Sequence, residues 1–346
     1  MGITDKEYFL LFVSAYLLVG ALTPLMRKIA IDTKVVDQPN ASHKSHKTAV
    51  PYLGGVAIII GIISISYSTS LVSNFTSTTF WLATSVLGPA LILGLIGLWD
   101  DVKNLPPLPR FIAQSIAGIF TASILIITNN VANPTGSSLF DAAITVIWVV
   151  GICNSINFFD NHDGGAAGTV AVISLFLFFI AFDRQQVLVS ALAIVTAGAT
   201  AGFLIWNRHP AKIYMGDAGA LFLGIIISVL TIRLSPGIIP QEKSFAIPAL
   251  LMATPILDTT VAVISRLHRG ISPFQGGRDH LSHRLMRVGL SRKITAITLW
   301  AMAAMYGGLA LAVYTWPDTL GWQLIAIASV AWIAKLVFFL RIPSEG

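Results

Sequence analysis

Charged residues are scarce in this sequence. They make up 11% of the 346 residues, whereas hydrophobic residues make up 55%, and the mean hydropathy is +0.78. A soluble domain would carry roughly 25% charged residues. The composition therefore excludes a soluble globular protein and favours one that lies in a membrane.

Cysteine is nearly absent as well. The one cysteine, Cys153, stands inside an apolar run, which excludes an intramolecular disulfide and a cysteine-based metal cluster. The formal net charge is +6, but the basic residues are spread over several loops without an interleaved aromatic platform. No nucleic-acid partner is therefore expected.

Long apolar runs, in contrast, recur from end to end. They are about 17–22 residues long, enough to cross roughly 30 Å of hydrocarbon. We predict an all-α fold, a polytopic transmembrane bundle that forms one integral-membrane domain over residues 1–346. The predicted spans, about eleven in number, lie near 8–24, 52–72, 80–99, 110–128, 141–159, 165–182, 187–206, 220–234, 246–265, 294–314 and 321–340.

The basic residues predict the orientation of the bundle. With the N-terminus outside, 17 of the 22 Lys and Arg residues fall in inner segments and four in outer ones, as expected because cytoplasmic loops are enriched in positive charge. We therefore predict an outer N-terminus, a cytoplasmic C-terminus and functional loops that face the cytoplasm. These loops lie near 25–51, 100–109, 160–165, 207–219 and 266–293.

The first inner loop contains the stretch HKSHKTAVPYLGG, which combines basic residues with two glycines. An ordinary positive-inside loop is one interpretation. The other is a loop that binds an anion, with glycines that let the backbone approach a ligand. His46 and Lys47 are the candidate substrate-binding residues here.

Two adjacent carboxylates, Asp100 and Asp101, close the third predicted span in the stretch GLWDDVK. They stand at the C-terminal, negative end of the helix dipole, where like charges repel each other unless a cation is present. A capping role would favour Lys or Arg at this place. The pair is therefore a candidate for catalysis.

The stretch NSINFFDNHDGG places polar groups at the end of the fifth predicted span. Asn154, Asn157 and Asp160 recur every three residues and would share an arc of roughly 120° on a helix, with Asp163 in the following turn. Such amides and carboxylates suit a base, a sugar or a hydrated cation. Asn154 has an alternative role, in bonding to a neighbouring helix.

The stretch NRHPAKIYMGDAG brings Lys212 and Asp217 to the start of the eighth predicted span. The positive end of that helix suits a phosphate, and Asp217 is placed to hold a divalent cation against it, although a plain N-cap is the alternative.

Deeper in the ninth span, Asp258 follows Pro255. We predict that Asp258 helps to bend that span.

The last inner loop predicts an amphipathic helix over residues 279–290, with His280, His283, Arg284 and Arg287 on one side. This side either faces water from a membrane surface or binds a diphosphate or sugar, and we favour binding. The His-x-x-His pair is a weak zinc signal because no third ligand stands at a suitable spacing.

Together, these loops predict a cytoplasm-facing active site that binds an anionic, phosphorylated ligand with Mg²⁺. A transporter is the competing class. It would place its ionisable groups near the bilayer midplane, often with paired broken helices. Here they gather at the inner ends of the spans, and only Asp258 lies deeper.

The sequence resembles the polyprenyl-phosphate N-acetylhexosamine-1-phosphate transferases of glycosyltransferase family 4. The shared motifs are HKTAVPYLGG, the DD pair, NSINFFDNHDG, NRHPAKIYMGDAG and the histidine loop, in the same order over nearly the whole chain. The resemblance implies transfer of a sugar 1-phosphate from a UDP-N-acetylhexosamine to undecaprenyl phosphate. The products would be undecaprenyl-diphospho-sugar and UMP, made at the bacterial inner (plasma) membrane.

The same resemblance implies roles for residues. Asp217 would be the Mg²⁺ ligand, with Mn²⁺ as a substitute, and Asp100 assisted by Asp101 would deprotonate or orient the lipid phosphate. Direct attack by that phosphate is favoured over a covalent aspartyl intermediate. A homodimer is expected. The remaining implied or candidate substrate and acid groups are Asp160, Asp163, Asn154, Asn157, His46, Lys47, Lys212, His280, His283 and Arg284.

Three departures from the family pattern bear on the sugar. The family often has Asp-Gly where this sequence has Asp160-Asn161, and Asp-Gly-Leu where it has residues 163–165. Ser282 stands where relatives often carry another histidine. The lack of a three-histidine run argues against the alternative donor, UDP-MurNAc-pentapeptide, so UDP-GlcNAc is the first expectation.

Overall fold

The computed structural model describes residues 3–37, 50–72, 77–103, 107–127, 137–273 and 276–344. Within them the all-α prediction is confirmed, with one antiparallel pair of two-residue strands, β1 (Val36–Asp37) and β2 (Val50–Pro51). His46 and Lys47 lie outside the described residues. The helices are α1 (Asp5–Asp32), α2 (Gly54–Val72), α3 (Ser77–Lys103), α4 (Pro107–Ile127), α5 (Ser138–Phe159), α6 (Gly165–Asp183), α7 (Val187–Asn207), α8 (Gly216–Arg233), α9 (Gln241–Leu251), α10 (Ala253–His268), α11 (Leu281–Arg287), α12 (Arg292–Thr315) and α13 (Gly321–Arg341).

Eight helices in the described ranges are long and apolar enough to cross a membrane: α1, α3, α5, α6, α7, α8, α12 and α13. The pair α9 and α10 also qualifies, bent by 68°, and α2 and α4 contain shorter apolar helices. Each predicted span falls on one of these elements. The number of crossings and the orientation stay predictions.

Helix α8 lies at the centre of the bundle, buried along nearly its whole length and packed against α2, α3 and α5. Its first turn is approached very closely by α3. A Cβ atom at Gly97 would stand 2.4 Å from the backbone oxygen of Asp217, so only glycine permits this approach. Because α3 comes so near, Asp100 and Asp101 at its end reach the start of α8.

The segment after β2 is fastened to the residues that precede α8. The Tyr214 backbone N–H donates to the Pro51 carbonyl at 2.9 Å. In return, the N–H groups of Gly54 and Gly55 donate to the carbonyls of Tyr214 (3.0 Å) and Met215 (2.9 Å). The described end of the first inner loop therefore reaches the acidic start of α8.

The predicted ninth span is bent, but Asp258 does not cause the bend. Helix α9 ends at Leu251 and α10 begins at Ala253, so the break falls at Met252. Asp258 stands further along α10, where its carboxylate accepts hydrogen bonds from His280 and from the Leu281 N–H. The bending role predicted for Asp258 is therefore wrong, and its contacts attach α11 to α10.

Candidate functional site

The ends of α3 and α5 meet the start of α8 at one end of the bundle, called here the site end. The meeting point gathers Asp100, Asp101, Asp160 and Asp217 with Asn157, a set called here the α8 cluster. The sequence spreads these residues over more than a hundred positions. The structure therefore brings together four of the predicted acidic residues.

Asp101 is held by the first turn of α8. Its two carboxylate oxygens accept hydrogen bonds from the backbone N–H groups of Asp217 at 2.8 Å and Ala218 at 3.1 Å. Gly216 has φ +66°, and a Cβ there would stand 2.5 Å from Asp101 Oδ2. The helix N-terminus, predicted to be free for a phosphate, is thus already occupied by a carboxylate of the protein itself.

The two asparagines on α5 have different neighbours. Asn157 donates from its amide to Asp217 Oδ1 at 2.5 Å and so belongs to the α8 cluster. Asn154 donates to Gln114 Oε1 on α4 at 2.6 Å and to the Val150 carbonyl at 2.8 Å. The contact with Gln114 is interhelical, the alternative left open by the sequence, and the contact with Val150 lies within α5.

Like charges accumulate in the α8 cluster. The negative charges of Asp217 and Asp100 act on Asp101. Burial, together with the charges of Asp217 and Asp163, raises the pKa of Asp160 to about 7. A positively charged ligand would relieve this repulsion, because a nearby cation favours the ionised form of a carboxylate.

The carboxylates of the α8 cluster offer oxygen ligands, the kind that Mg²⁺ takes. Within the described ranges, no three side chains of His, Cys, Asp or Glu are arranged to hold a metal by themselves. Mg²⁺ usually binds through one or two carboxylates plus waters and substrate phosphates. The carboxylates of Asp217 and Asp160, whose charges interact, fit that mode of binding.

The loop between α5 and α6 is fixed by contacts with the segment after α7 and with the start of α12. Asp163 is buried, and its Oδ2 contacts His209 Nδ1 at 2.6 Å and accepts from the Ala211 N–H at 3.2 Å. His162 Nε2 lies 2.8 Å from the Arg292 carbonyl oxygen, and burial lowers the pKa of His162. The described contacts of Asp163 position the loop, and its part in the acid cluster stays a prediction.

A second acidic group, called here the α10–α11 network, consists of Asp258, Arg266, Arg269, Asp279 and His280. Arg266 donates to both oxygens of Asp279, at 2.9 and 2.8 Å, and Arg269 donates to one of them at 2.8 Å. Burial opposes ionisation of Asp279, but the hydrogen bonds and charge of Arg266 outweigh it and lower the pKa of Asp279. Each carboxylate of this network therefore meets a basic side chain.

His280 is buried inside this network. Its Nδ1 lies 2.7 Å from Asp258 Oδ2, and its Nε2 lies 3.1 Å from Arg266 Nη2. Both ring nitrogens thus have protein partners. The substrate contact predicted for His280 stays a prediction, and its contacts with Asp258 and Arg266 give this residue a role in holding α11.

Arg284 does not face a ligand. It is 1% exposed, and its guanidinium donates to the carbonyls of Asp279, Phe339 and Ile342 and to the Ser265 hydroxyl. The prediction that Arg284 binds substrate is therefore wrong, and the alternative, in which this side of the helix faces water, does not hold for Arg284 either. A buried guanidinium needs such acceptors, and the end of α13 supplies two of them.

His283 differs from its neighbours. Burial and the charge of His280 lower the pKa of His283 to about 3, so the ring is neutral at pH 7. Its Nδ1 is buried and has no hydrogen-bond partner among the residues the structure describes. Of the two predicted histidines, His283 is therefore the one with a ring nitrogen that lacks a partner among the described residues.

Asn161 and Ser282, two of the positions where the sequence departs from the family pattern, are in direct contact. The Ser282 hydroxyl donates to Asn161 Oδ1, and the Asn161 amide donates to the Phe158 carbonyl at 2.5 Å. This contact joins α11 to the loop that follows α5. Two positions that are far apart in sequence thus form one feature beside the acidic site.

Other contacts were not foreseen from the sequence. Lys212 was a predicted substrate-binding residue, but it is exposed and its Nζ lies 5.2 Å from the centre of the Trp206 ring. The spacing of Asp258 and Arg266 could have indicated that they belong to one polar network, because they stand about two turns apart on one helix in an otherwise apolar region. The pair Asp163–His209 carried no such signal, since nothing in the spacing links the two residues.

Comparison with known proteins identifies the family. A model described as glycosyl transferase family 4 matches residues 83–235, which include all five residues of the α8 cluster. A Bacillus subtilis protein, named a probable undecaprenyl-phosphate N-acetylglucosaminyl 1-phosphate transferase, is 32% identical over 85% of this chain and 82% of its own.

Two further relatives are similar over most of their length. A Mycobacterium tuberculosis decaprenyl-phosphate N-acetylglucosaminephosphotransferase is 30% identical over 98% of this chain and 91% of its own. A Halalkalibacterium halodurans phospho-N-acetylmuramoyl-pentapeptide-transferase is 26% identical over 88% and 95%. With these matches and the acidic site at one end of a helical membrane bundle, the chain belongs to glycosyl transferase family 4.

Proposed function

We propose that this protein transfers GlcNAc-1-phosphate from UDP-GlcNAc to undecaprenyl phosphate. The products are undecaprenyl-diphospho-GlcNAc and UMP. The observation that carries the proposal is the α8 cluster, where Asp217, fixed by Asn157, stands among other carboxylates at the end of an apolar bundle. Relatives named for the same kind of transfer support it.

The reaction joins two phosphates, so its main requirement is charge neutralisation and alignment. When bound, Mg²⁺ would supply positive charge that offsets the negative charge of the phosphates. Asp217 and Asp160 are the residues proposed to hold it, and the Asn157 amide orients the Asp217 carboxylate. Asp101 is fixed by the backbone of α8, which holds its carboxylate next to Asp217.

The proposed step is a direct displacement. An oxygen of the lipid phosphate attacks the phosphorus that bears the sugar, and the bond from that phosphorus to the bridging oxygen breaks, so UMP leaves with the electron pair. Asp100 is proposed to accept the proton of a lipid phosphate that arrives protonated, or to orient one that is already ionised. His283, whose buried Nδ1 has no partner among the described residues, is proposed to contact the donor's diphosphate or sugar.

The setting of the reaction is part of the proposal. The site end is assigned to the cytoplasmic side of the bacterial plasma membrane, because the inner loops carry most of the basic residues. Undecaprenyl phosphate would reach it from the bilayer, and the UDP-sugar from the cytoplasm. A homodimer is proposed on family resemblance.

The test is UMP release by the purified protein in detergent, supplied with undecaprenyl phosphate and a panel of UDP-sugars. UDP-GlcNAc should give Mg²⁺-dependent UMP release that EDTA removes. Asp217→Asn should lose roughly 10³-fold in rate, while the matched control Asp318→Asn, at an exposed position, should keep wild-type activity.

The panel also separates the alternatives. UMP release with UDP-MurNAc-pentapeptide alone would replace the proposed donor with the one named for the Halalkalibacterium relative. If a folded protein gave no UMP with any donor, the transferase proposal would fail. Uptake of nucleotide sugars into vesicles would then test the transporter alternative.

A further inference from the structure

A cleft of about 310 Å³ lies between α7 and α12 at the site end. Both helices pack on α6, and Asp163, in the loop before α6, lines the cleft. Its apolar walls come from Leu204 and Ile205 on α7 and from Ile297 and Trp300 on α12. None of these side chains belongs to the α8 cluster, so the cleft is a separate feature.

Basic residues stand at the mouth of the cleft. Arg208 follows the end of α7, and Lys293 lies in the first turn of α12. Both line the cleft, and both are exposed. Arg208 is three residues from Ile205, and Lys293 is four residues from Ile297, so each cation shares a helix face with an apolar wall residue.

The cleft opens toward the surface of the bundle. Ile205 is 38% exposed and Ile297 is 46% exposed, as expected for side chains that face lipid. The cations stand where the helices end, and the isoleucines stand about one turn deeper. This order of charge and then hydrocarbon matches the order of headgroup and acyl chain in one leaflet.

The deep end of the cleft contacts the loop between α5 and α6. The Trp300 Nε1–H donates to the Gly164 carbonyl at 2.9 Å. Asp163 also lines the cleft, and its Oδ2 is already engaged by His209 and the Ala211 N–H. A ligand in the cleft would therefore touch the support of the active-site loop without entering the α8 cluster.

We propose that this cleft binds an acidic glycerophospholipid, with the phosphate between Arg208 and Lys293 and an acyl chain against the walls of α7 and α12. Basic pockets between helices at the cytoplasmic face bind anionic headgroups in this way. The acceptor lipid of the proposed reaction is a different occupant. Its phosphate has to reach the acidic residues of α3 and α8, whereas the helices that line this cleft are α7 and α12.

The experiment is native mass spectrometry of the full-length protein, delipidated in detergent and titrated with phosphatidylglycerol or phosphatidylcholine. Each basic residue near an anionic headgroup contributes about fivefold in affinity. Wild type should therefore prefer phosphatidylglycerol by roughly 30-fold. Arg208→Gln with Lys293→Gln should abolish that preference, and Ala201→Phe, which fills the cleft at unchanged charge, should abolish binding of the preferred lipid.

The matched control removes the same charge elsewhere. Lys28→Gln with Arg341→Gln changes two exposed residues at the ends of α1 and α13 and should keep the preference. Equal binding of the two lipids to wild type, or an equal loss in control and cleft variants, would overturn the proposal. The proposal would also be overturned if undecaprenyl phosphate displaced phosphatidylglycerol and the cleft variants had a raised KM for undecaprenyl phosphate, because the cleft would then bind the acceptor lipid. Because binding needs no turnover, this result is independent of the transferase assay.

Discussion

The two acidic regions at the site end balance their charge in different ways. In the α10–α11 network, Asp279 meets Arg266 and Arg269, and Asp258 meets His280. In the α8 cluster, carboxylates stand close enough for their charges to act on one another, and the contacts described for Asp101 are backbone N–H groups.

This difference separates structure from function. A buried carboxylate that is paired with arginine is costly to disturb, because the partner charge is left without compensation. Carboxylates that repel each other cost stability unless a ligand supplies positive charge. The α10–α11 network should therefore govern folding, and the α8 cluster should govern activity.

The largest effect should follow from breaking the α10–α11 network. Asp279→Ala leaves Arg266 buried without its carboxylate and should destabilise the protein by about 3–5 kcal/mol, seen as a large drop in melting temperature in detergent. Asp318→Ala, at an exposed position, is the control. A melting temperature equal to that of wild type would refute the structural role of this network.

The opposite outcome is expected in the α8 cluster. Asp160→Asn should lower the rate of UMP release roughly 100-fold without lowering the melting temperature. Since the pKa of Asp160 is about 7 when folded and about 3.9 when unfolded, the stability of wild type falls as pH rises through this window.

The Asp160→Asn variant cannot ionise at this position. At pH 8 it should therefore melt at a higher temperature than wild type, and this advantage should shrink as the pH falls toward 4. Thermal melts of both proteins across pH 4–8 measure the effect. An Asp160→Asn variant that melts below wild type at pH 8 would show that the α8 cluster is not strained by like charge.

A smaller loss should follow where Asp258 attaches α11 to α10. Asp258→Asn keeps one acceptor oxygen but cannot serve both His280 and the Leu281 N–H, which should cost about 1–3 kcal/mol. If Asp258 only positions α11, the KM for the UDP-sugar should rise more than kcat falls. A change confined to kcat would assign Asp258 to the reacting groups instead.

The smallest effect concerns donor choice. Ser282→Ala removes the hydrogen bond to Asn161, worth about 1 kcal/mol, and should shift the ratio of kcat/KM between UDP-GlcNAc and other UDP-N-acetylhexosamines by several-fold. Thr169→Ala is a useful control because it also removes a buried hydroxyl. Equal ratios for wild type and Ser282→Ala would show that this contact does not influence the sugar.

The helices and the positions of the acidic residues could be predicted from the sequence, because a membrane helix is marked by a continuous apolar run. The apolar runs coincide with helices, and the acids at 100, 101, 160 and 217 stand where predicted, at helix ends. That these acids lie on the same side of the membrane was inferred only from the predicted orientation of the spans. The closeness of α3 to α8, set by Gly97, could not be read from spacing.

The sequence did not reveal which side chains in distant segments form hydrogen bonds with each other. The pattern of residues 279–290 predicts a basic face, but helix α11 spans only Leu281–Arg287, with Arg284 buried. The misjudgement has a physical cause. Hydrophobic periodicity says which side of a helix is polar, but it cannot tell whether that side meets water or the carbonyl end of another helix.

Arg284 also constrains the order of events during synthesis. Two of its acceptors, the carbonyls of Phe339 and Ile342, lie 55 and 58 residues later in the chain. Until the ribosome has made α13 and that helix has entered the membrane, the guanidinium lacks these acceptors, and burying it would be unfavourable. The segment with His280 and His283 should therefore dock late, so assembly of the site waits for the last helix.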